Sequence, residues 1–293
     1  MHWVLQHNMF VEAGFQRLID TLERFSLSYT MHKVIPFVGV LSPPLKVDED
    51  YKFEGEYAED TEFELPAGPK IVMGSYSMAL YARRKGWTPG SFDSIDLDYE
   101  RQLPHWGKEM LNSDALVCRF REVPRPRAWE FFIRPTLDSK SFTGVVTDWA
   151  AFEQWQARVI ALGSDNGGTL DGDTMVQVCS KKVIYREYRL WVVQGKIVTA
   201  SLYKEGGRAR YSDQVDADVL RYAAPFTGHP MIRDSWAPAE AFVLDIAETP
   251  DGFKILEAGC INAAGFYAAD MQKLVMALEG GRWGSTPAPE VSL

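Results

Sequence analysis

Apolar positions along the first hundred residues switch between two periods. Val11, Phe15, Leu18, Ile19, Leu22 and Phe25 recur at helical spacing, which predicts an amphipathic helix over about residues 11–26. Short apolar runs flank it: Trp3-Val4-Leu5, the β-branched stretch 34–40 stopped by Pro43-Pro44, and Ile71-Val72-Met73. The last run enters Gly74-Ser75 and a helix through Met78, Leu80 and Tyr81. That helix closes on Arg83-Arg84-Lys85, cations that suit a helix C-terminus, with Gly86 as its cap. The β–α alternation predicts a small α/β layer.

Beyond Pro104 the pattern predicts a helix over 106–112, a strand over 115–120 and an aromatic strand over 129–135. A turn of small polar residues, 139–144, leads into Val145-Val146. Residues 148–162 read as a helix with Phe152, Trp155, Val159 and Leu162 on one side, followed by a Gly/Asp/Asn-rich loop over 163–172. The last third reads as strands over 175–179, 188–193, 196–203, 241–248 and 253–257, with helices over 215–223 and 268–278. Gln194-Gly195 and Thr249-Pro250-Asp251-Gly252 read as hairpin turns. The tail after Trp283 is expected to fray.

Composition changes this picture in one respect. The 293 residues are 46% hydrophobic and 24% charged, enough for a large core and for two domains, or one with an appended subdomain. The net charge of −9 excludes a polyanion coat or an anionic-membrane binder. Yet the charge is uneven. Segment 46–64 carries nine carboxylates against two lysines, while 181–210 carries eight basic residues against Glu187 and Glu205. The first reads as an exposed insertion. The second spreads its charge through strand sequence. Cys118, Cys179 and Cys260 are far apart and lack paired metal-ligand spacing, which suits a reducing, cytoplasmic compartment. No apolar run approaches the roughly 18 residues of a membrane span, and no signal pattern opens the chain, so it is expected neither to span nor to be secreted. His2, His7, His32, His105 and His229 form no spaced pair and read as surface or structural.

The chemistry concentrates in two hairpins. Glu187 and Arg189 stand two apart, so on a strand they share a face with Trp191 and Val193, and must be solvated, paired or used. In the second hairpin Asp245 and Glu257 each interrupt an apolar strand, and a turn midway brings their positions close across the ladder. Either a cation lies between the two acids or each is paired with an arginine. A cation, with Asn262 as a further oxygen donor, fits Mg²⁺. Arg134 and Lys140, beside the 139–144 turn, add positive charge where backbone N–H groups can approach phosphate. Together these are the parts that a Mg–nucleoside triphosphate site requires. No Walker sequence and no kinase Gly-rich loop is present.

These residues resemble the ATP-grasp superfamily. The carriers are Ile133-Arg134-Pro135, then Ser141-Phe142-Thr143-Gly144-Val145-Val146, then the run from Glu187 through Arg189 to Gly195-Lys196, and Asp245, Glu257 and Asn262. The sequence looks closest to the R-two-K clade of bacteria and phages, whose proposed role is ligation of peptides or amino groups. The similarity runs from Gly74-Ser75 to Phe266-Tyr267. It implies an α/β (α+β) fold in three parts: an N-terminal α/β domain over 1–103, a central lid over 104–180 and a C-terminal antiparallel sheet over 181–293, with ATP between the last two.

By motif position, the resemblance implies that Arg134 and Lys140 bind phosphate, with Ser141 and Thr143 in the loop that covers it. Gln177, Val178 and Cys179, with Ser180, fall at the adenine hinge; Glu187 falls at the ribose and Arg189 at the transferred phosphate or acceptor. Asp245, Glu257 and Asn262 fall at the magnesium ligands. Two departures stand out: arginine replaces the usual lysine at 134, and acid and asparagine are five residues apart instead of two. The implied activity is an ATP- and Mg²⁺-dependent carboxylate–amine ligase that passes through an acyl phosphate, with Arg134, Lys140, Arg186 and Arg189 screening charge. Its partners would be ATP, a small-molecule or peptide carboxylate and an amine, with no nucleic acid or membrane. The other readings are an ATP-binding regulatory module without catalysis and a small-molecule phosphotransferase.

Overall fold

In the computed structural model, residues 1–7, 13–35, 40–47, 53–54, 63–93, 95–137, 141–163 and 170–283 are described. In chain order the first elements are β1 (His2–Gln6), α1 (Ala13–Arg24), β2 (Ser28–His32), β3 (Val34–Ile35), β4 (Val40–Leu41), β5 (Lys46–Val47), β6 (Phe53–Glu54), β7 (Lys70–Met73), α2 (Tyr76–Arg84) and β8 (Pro89–Gly90). The middle holds α3 (Tyr99–Trp106), β9 (Leu116–Arg119), β10 (Glu130–Pro135), β11 (Val145–Asp148), α4 (Trp149–Leu162) and β12 (Met175–Ser180). Then come β13 (Arg186–Val193), β14 (Lys196–Glu205), β15 (Arg208–Ser212), α5 (Ala217–Ala223), β16 (Ala241–Thr249), β17 (Gly252–Gly259) and α6 (Met271–Gly280). Most of the acidic segment 46–64, the loop residues 164–169 and the tail beyond 283 lie outside the described residues. Among the described residues no helix is long and apolar enough to cross a membrane.

The chain divides into two units. The first comprises Met1–Ile95, Arg186–Ile246 and Ala258–Leu293. It holds a parallel sheet in the order β2-β1-β7-β8, and strands β13, β14 and β15 of a second sheet, in which β14 pairs antiparallel with both β13 and β15. The stripe predicted for the first helix is realised at Phe15, Leu18, Ile19 and Leu22, which are buried, while Gln16 and Asp20 are exposed and hydrogen-bonded at i, i+4; Val11 lies outside the described residues, and Phe25 falls past the helix end. Helix α6 buries Met271, Leu274, Val275 and Leu278 into the same apolar cluster, which also takes Trp3, Trp191 and Val243. Trp191 and Val193 thus enter the core, as alternation from Arg189 predicts. The β13–β14 turn puts Gln194 at φ 48° and Gly195 at φ 77°, the two left-handed residues of a type I′ hairpin. Strand β15 escapes the sequence reading because Arg208-Ala209-Arg210-Tyr211 shows no apolar alternation; it is an exposed edge.

The second unit comprises Asp96–Tyr185 and Ala247–Glu257. Its antiparallel sheet runs β11-β10-β12-β9. One face, with Phe131, Ile133, Val176 and Val178, packs against Phe152 and Val159 of α4 and against Phe120. Asp148 caps α4 by accepting from the Ala151 N–H at 2.9 Å. Leu162, predicted on the apolar side, is exposed, because α4 ends at that residue and Gly163 turns the chain away at φ 60°. The helix expected over 106–112 is displaced: α3 occupies Tyr99–Trp106 with Pro104 inside it. Asp98 starts that helix and Gly107, at φ 49°, stops it. The start is set by Asp98, whose side chain accepts from the Glu100 N–H at 2.9 Å, six residues before the proline. The tip of the β16–β17 hairpin counts with this unit through Leu111 N–H to the Ile255 carbonyl and Tyr185 N–H to the Glu248 carbonyl, each 2.8 Å.

Two histidines are structural. His2 bonds Ser28 Oγ at 2.7 Å and Thr30 Oγ1 at 3.0 Å through its two ring nitrogens. His32 shares that threonine at 2.9 Å and meets the Ser42 carbonyl at 2.8 Å. Burial, with Lys70 close by, pushes His2 down to about 4, and burial also lowers His32. A histidine held neutral in the fold gains its proton only on unfolding, so its contribution is intact above about pH 6.5 and is lost towards pH 4. The melting temperature therefore falls across that window, and a His2→Gln protein shows a shallower fall in the same thermal scans. In the second unit Phe152 contacts Phe120 and Phe131 edge-on at centroid distances of 5.3 and 5.4 Å. Phe152→Ala is expected to cost about 3–5 kcal/mol in denaturant unfolding.

Candidate active site

Strand β13 carries Glu187 and Arg189, and their partners are not each other. Arg189 donates from Nε to Asp245 Oδ1 at 2.8 Å and from Nη2 to Oδ2 at 2.7 Å, a bidentate fork. Asp245 is 1% exposed and sits in β16 between apolar neighbours Leu244 and Ile246. The guanidinium carbon lies 5.5 Å from the Tyr203 ring centroid and 5.1 Å from that of Tyr267, within reach of both π faces. The two rings are themselves stacked at 4.9 Å. Burial works against the charge on Arg189, but the field and hydrogen bonds of Asp245 outweigh it and hold its pKa above the ordinary value.

Glu187 is served from β14. Tyr203 donates its hydroxyl to Glu187 Oε2 at 2.7 Å and approaches Asp245 Oδ2 at 3.3 Å, while Lys204 Nζ lies 2.8 Å from Glu187 Oε1. Consecutive strand residues normally face opposite sides. Here the register shifts between Glu187, opposite Lys204, and Tyr188, opposite Leu202. The bulge leaves Tyr203 as the extra residue and lets both neighbours reach one carboxylate. Burial, then the charges of Asp245 and Glu187, push the Tyr203 hydroxyl far above its ordinary pKa, so it stays a donor. Tyr203 and Lys204 escape the sequence reading because regular alternation separates them. Arg186 pairs with Glu205 at 2.7 Å, and Arg210 also binds that acid.

The same unit contains a second buried contact. The Asn262 side chain accepts from the Gly74 N–H at 2.7 Å and donates to the Gly74 carbonyl at 2.6 Å. Asn262 is 3% exposed. Gln6 Oε1 accepts from the next N–H, that of Ser75, at 2.7 Å. A Cβ at Gly74 would run into Met78 and Gln6, so this corner between β7 and α2 needs glycine. Arg17 of α1 donates to the Tyr267 carbonyl.

In the second unit Arg134 donates to Glu257 Oε2 at 2.9 Å, a pair with side chains 26% and 42% exposed. Arg134 stands opposite Gln177, and both lie on the sheet face turned away from α4. Gln177, 3% exposed, receives a long contact from Asn112 Nδ2 at 3.4 Å. Cys179 donates its Sγ–H to Asn112 Oδ1 at 3.3 Å, and burial pushes the thiol up to about 11, so it is inert at neutral pH. Strand β12 pairs with β9 only as far as Val178, whereas its pairing with β10 continues to Ser180. Gln177 and Val178 have ladder partners on both sides; Cys179 and Ser180 have them on one. Gly144 lies against Phe132 so closely that a Cβ would enter the ring. Ser141 and Thr143 precede it as half-buried and exposed residues, and Lys140 lies outside the described residues.

Magnesium takes hard oxygen donors that it can approach directly. Asp245, 1% exposed, gives both oxygens to Arg189, and Asn262, 3% exposed, gives both ends of its amide to Gly74. Glu257 retains exposure but is paired with Arg134. Among the described residues no group of three or more His, Cys, Asp or Glu side chains could hold a metal ion. Asp245 and Glu257 are each paired with an arginine, one of the two arrangements that the sequence leaves open, and neither Asp245 nor Asn262 is open to a metal as it stands.

Comparison with curated proteins finds no match. Among solved structures, a RimK domain ATP-grasp protein from Sphaerobacter thermophilus aligns at 13% identity with a TM-score of 0.53, covering 89% of this chain and 92% of that one. The D-cycloserine synthetase DcsG aligns at 12% identity with a TM-score of 0.57, covering 96% of this chain and 99% of that one. At such identities the likeness speaks to the fold, which is the ATP-grasp fold. The family described as ATP-grasp domain, R-two-K clade family 3, matches residues 68–278, and with that match over most of its length the chain belongs to this family.

Proposed function

We propose that the protein is an ATP-dependent carboxylate–amine ligase of the peptide type. What supports the reading is family membership together with one observation: Arg189 is a desolvated, pre-aimed cation in an ATP-grasp sheet. Fixed donors in a dry site stabilise developing charge far more than they would in water, and they need no reorganisation at the moment of reaction. Asp245 takes Nε and Nη2 of Arg189, while Nη1 has no partner among the described residues.

In this reading a carboxylate oxygen attacks the γ-phosphorus of ATP as the bond to ADP breaks. An amine then attacks the acyl-phosphate carbon. The C–N bond forms, inorganic phosphate leaves, and the amine's surplus proton passes to solvent. Arg189 meets the transferred phosphate or the acyl phosphate. Arg134 meets phosphate by exchanging its partly exposed Glu257 partner, and surface pairs of this kind are worth only about 0–1 kcal/mol. Lys140, Ser141 and Thr143 join Arg134, and Arg186 adds charge. Cys179 and Ser180 offer backbone to adenine, beside Gln177 and Val178, and Glu187 reads the ribose. The three parts 1–103, 104–180 and 181–293 remain our assignment for the lobes that handle these tasks. The implied substrates are ATP with a small-molecule or peptide carboxylate and an amine, and the implied compartment is cytoplasmic.

Incubation with ATP, Mg²⁺ and a mixed pool of amino acids, read by mass spectrometry, tests the reaction class. ADP together with a condensed amide is the expected result. A phosphorylated product without an amide selects a phosphotransferase, and saturable ATP binding without ADP selects a binding module. Arg189→Lys keeps the charge but loses the fork. Losing charge-assisted contacts worth about 1.5–3 kcal/mol lowers the rate by roughly 10–150-fold; an unchanged rate sinks the role of Arg189. Arg189→Ala strands the buried Asp245, and is expected to cost about 3–5 kcal/mol of stability in the same denaturant assay.

A further inference from the structure

We infer that Asp245 and Asn262 are positioning residues whose side chains hold protein groups and not a metal ion: Asp245 aims Arg189, and Asn262 fixes the Gly74-Ser75 corner. The inference rests on the ligase reading for what Arg189 is aimed at, but its geometry stands apart from that reading. Sequence position puts both residues among the magnesium ligands; the structure gives both of them other work.

Three observations carry it for Asp245. Both of its oxygens accept from one guanidinium, at 2.8 and 2.7 Å, and Oδ2 also receives the Tyr203 hydroxyl at 3.3 Å. The carboxylate is 1% exposed, and its Arg189 partner has a side chain 13% exposed beside the stacked rings of Tyr203 and Tyr267. A metal at Asp245 would have to separate a bidentate, desolvated pair and strand a buried cation, which is the costly way to break such a pair. Mg²⁺ also sheds its own water reluctantly and demands near-octahedral geometry, which a pocket already filled by a guanidinium does not offer. The pair also has support of its own. The β14 bulge brings Tyr203 and Lys204 onto Glu187, so two acids and two cations are matched around one tyrosine.

Asn262 is committed by independent contacts. Acceptor and donor ends of its amide bind the N–H and carbonyl of one residue, Gly74, at 2.7 and 2.6 Å. Asn262 is 3% exposed, so to reach an ion its oxygen would have to turn away from Gly74. Doing so here would leave a buried backbone N–H without a partner, at the cost such groups carry. The five-residue spacing from Glu257 is then accounted for: Asn262 sits where it reaches the β7–α2 corner. Of the three candidates, only Glu257, with its half-exposed carboxylate, keeps a surface that an ion can approach.

The test reads the contacts and the metal separately, on the full chain. The Nε–H signal of Arg189, assigned by its loss in Arg189→Lys, is followed by ¹⁵N NMR while Mg²⁺ and a non-hydrolysable ATP analogue are added. The expected result is a signal that persists, shifted at most by phosphate meeting the far side of the guanidinium, and one that disappears on Asp245→Asn. In parallel, free Mn²⁺ is titrated by EPR with the same analogue. Asp245→Asn and Asn262→Ala are expected to bind Mn²⁺ within about twofold of wild type, well short of the roughly 10–100-fold that even outer metal partners typically cost. Loss of the Arg189 signal on adding Mg²⁺, or a Mn²⁺ affinity weakened tenfold or more in Asp245→Asn, overturns the inference for Asp245. The same weakening in Asn262→Ala overturns it for Asn262. Should either variant fail to fold, the wild-type NMR titration still decides both: the Arg189 signal decides Asp245, and the Gly74 amide signal, which moves if Asn262 leaves it for an ion, decides Asn262. No analogue or Mn²⁺ binding by wild type, with the Arg189 signal intact, supports the inference and overturns the ATP reading instead.

Discussion

Arg189 carries its charge in a setting nearly closed to water, and much of the first unit is arranged around that constraint. A buried guanidinium needs a counter-charge, hydrogen-bond acceptors in its own plane and polarisable faces above it. Asp245 supplies the first two from the adjoining strand, and Tyr203 and Tyr267 supply the third. Each supplier has its own support. Tyr203 is secured to Glu187, Glu187 to Lys204, and the Tyr267 carbonyl to Arg17. The result is a polar network inside an apolar sheet, in which removing one member leaves another buried and unpaired.

The second unit handles its arginine differently. Arg134 and Glu257 form a single contact with both side chains partly in solvent. Such a pair is weak and exchangeable, whereas the Arg189 pair is strong and fixed. Two arginines that the sequence presents as equal candidates for phosphate therefore differ in kind. One can trade its partner for a ligand; the other must meet a ligand with the partner still in place.

How much of this is legible in the sequence follows from the range of each interaction. The α1 stripe, the α4 cap at Asp148 and the Gln194-Gly195 turn depend on residues within a few positions of each other, and periodicity reveals them. The acids at 245 and 257 stand out because each interrupts an apolar strand. What they pair with does not, since Arg189 lies 56 residues from Asp245 and Arg134 lies 123 from Glu257. The pairing of Asn262 with Gly74 spans 188 residues and leaves no local trace. Tyr203 is hidden for another reason: a bulge breaks the rule of alternation by which strand faces are read. The helix at Tyr99–Trp106 is misplaced by pattern alone because Pro104 reads as punctuation, while the Asp98 cap sets the start.

The chain builds its first unit from three separated stretches and its second from nearly continuous sequence. That asymmetry bears on how the protein comes into being. On a ribosome, chains emerge N-terminus first and domains fold as units. The α4 sheet has nearly all its partners once residue 185 is out, but the β1 layer has not. Trp3 waits for Glu279, to which its indole donates at 2.6 Å, and the Gly74 corner waits for Asn262. The opening third of the chain can pair its own sheet and bury Val4, Val72 and Met78 early, but the apolar side that takes Leu274 and Leu278 stays open through most of its synthesis. Closing contacts of such long range also slows the final step. The parts of the molecule that would do its chemistry are therefore among the last to exist.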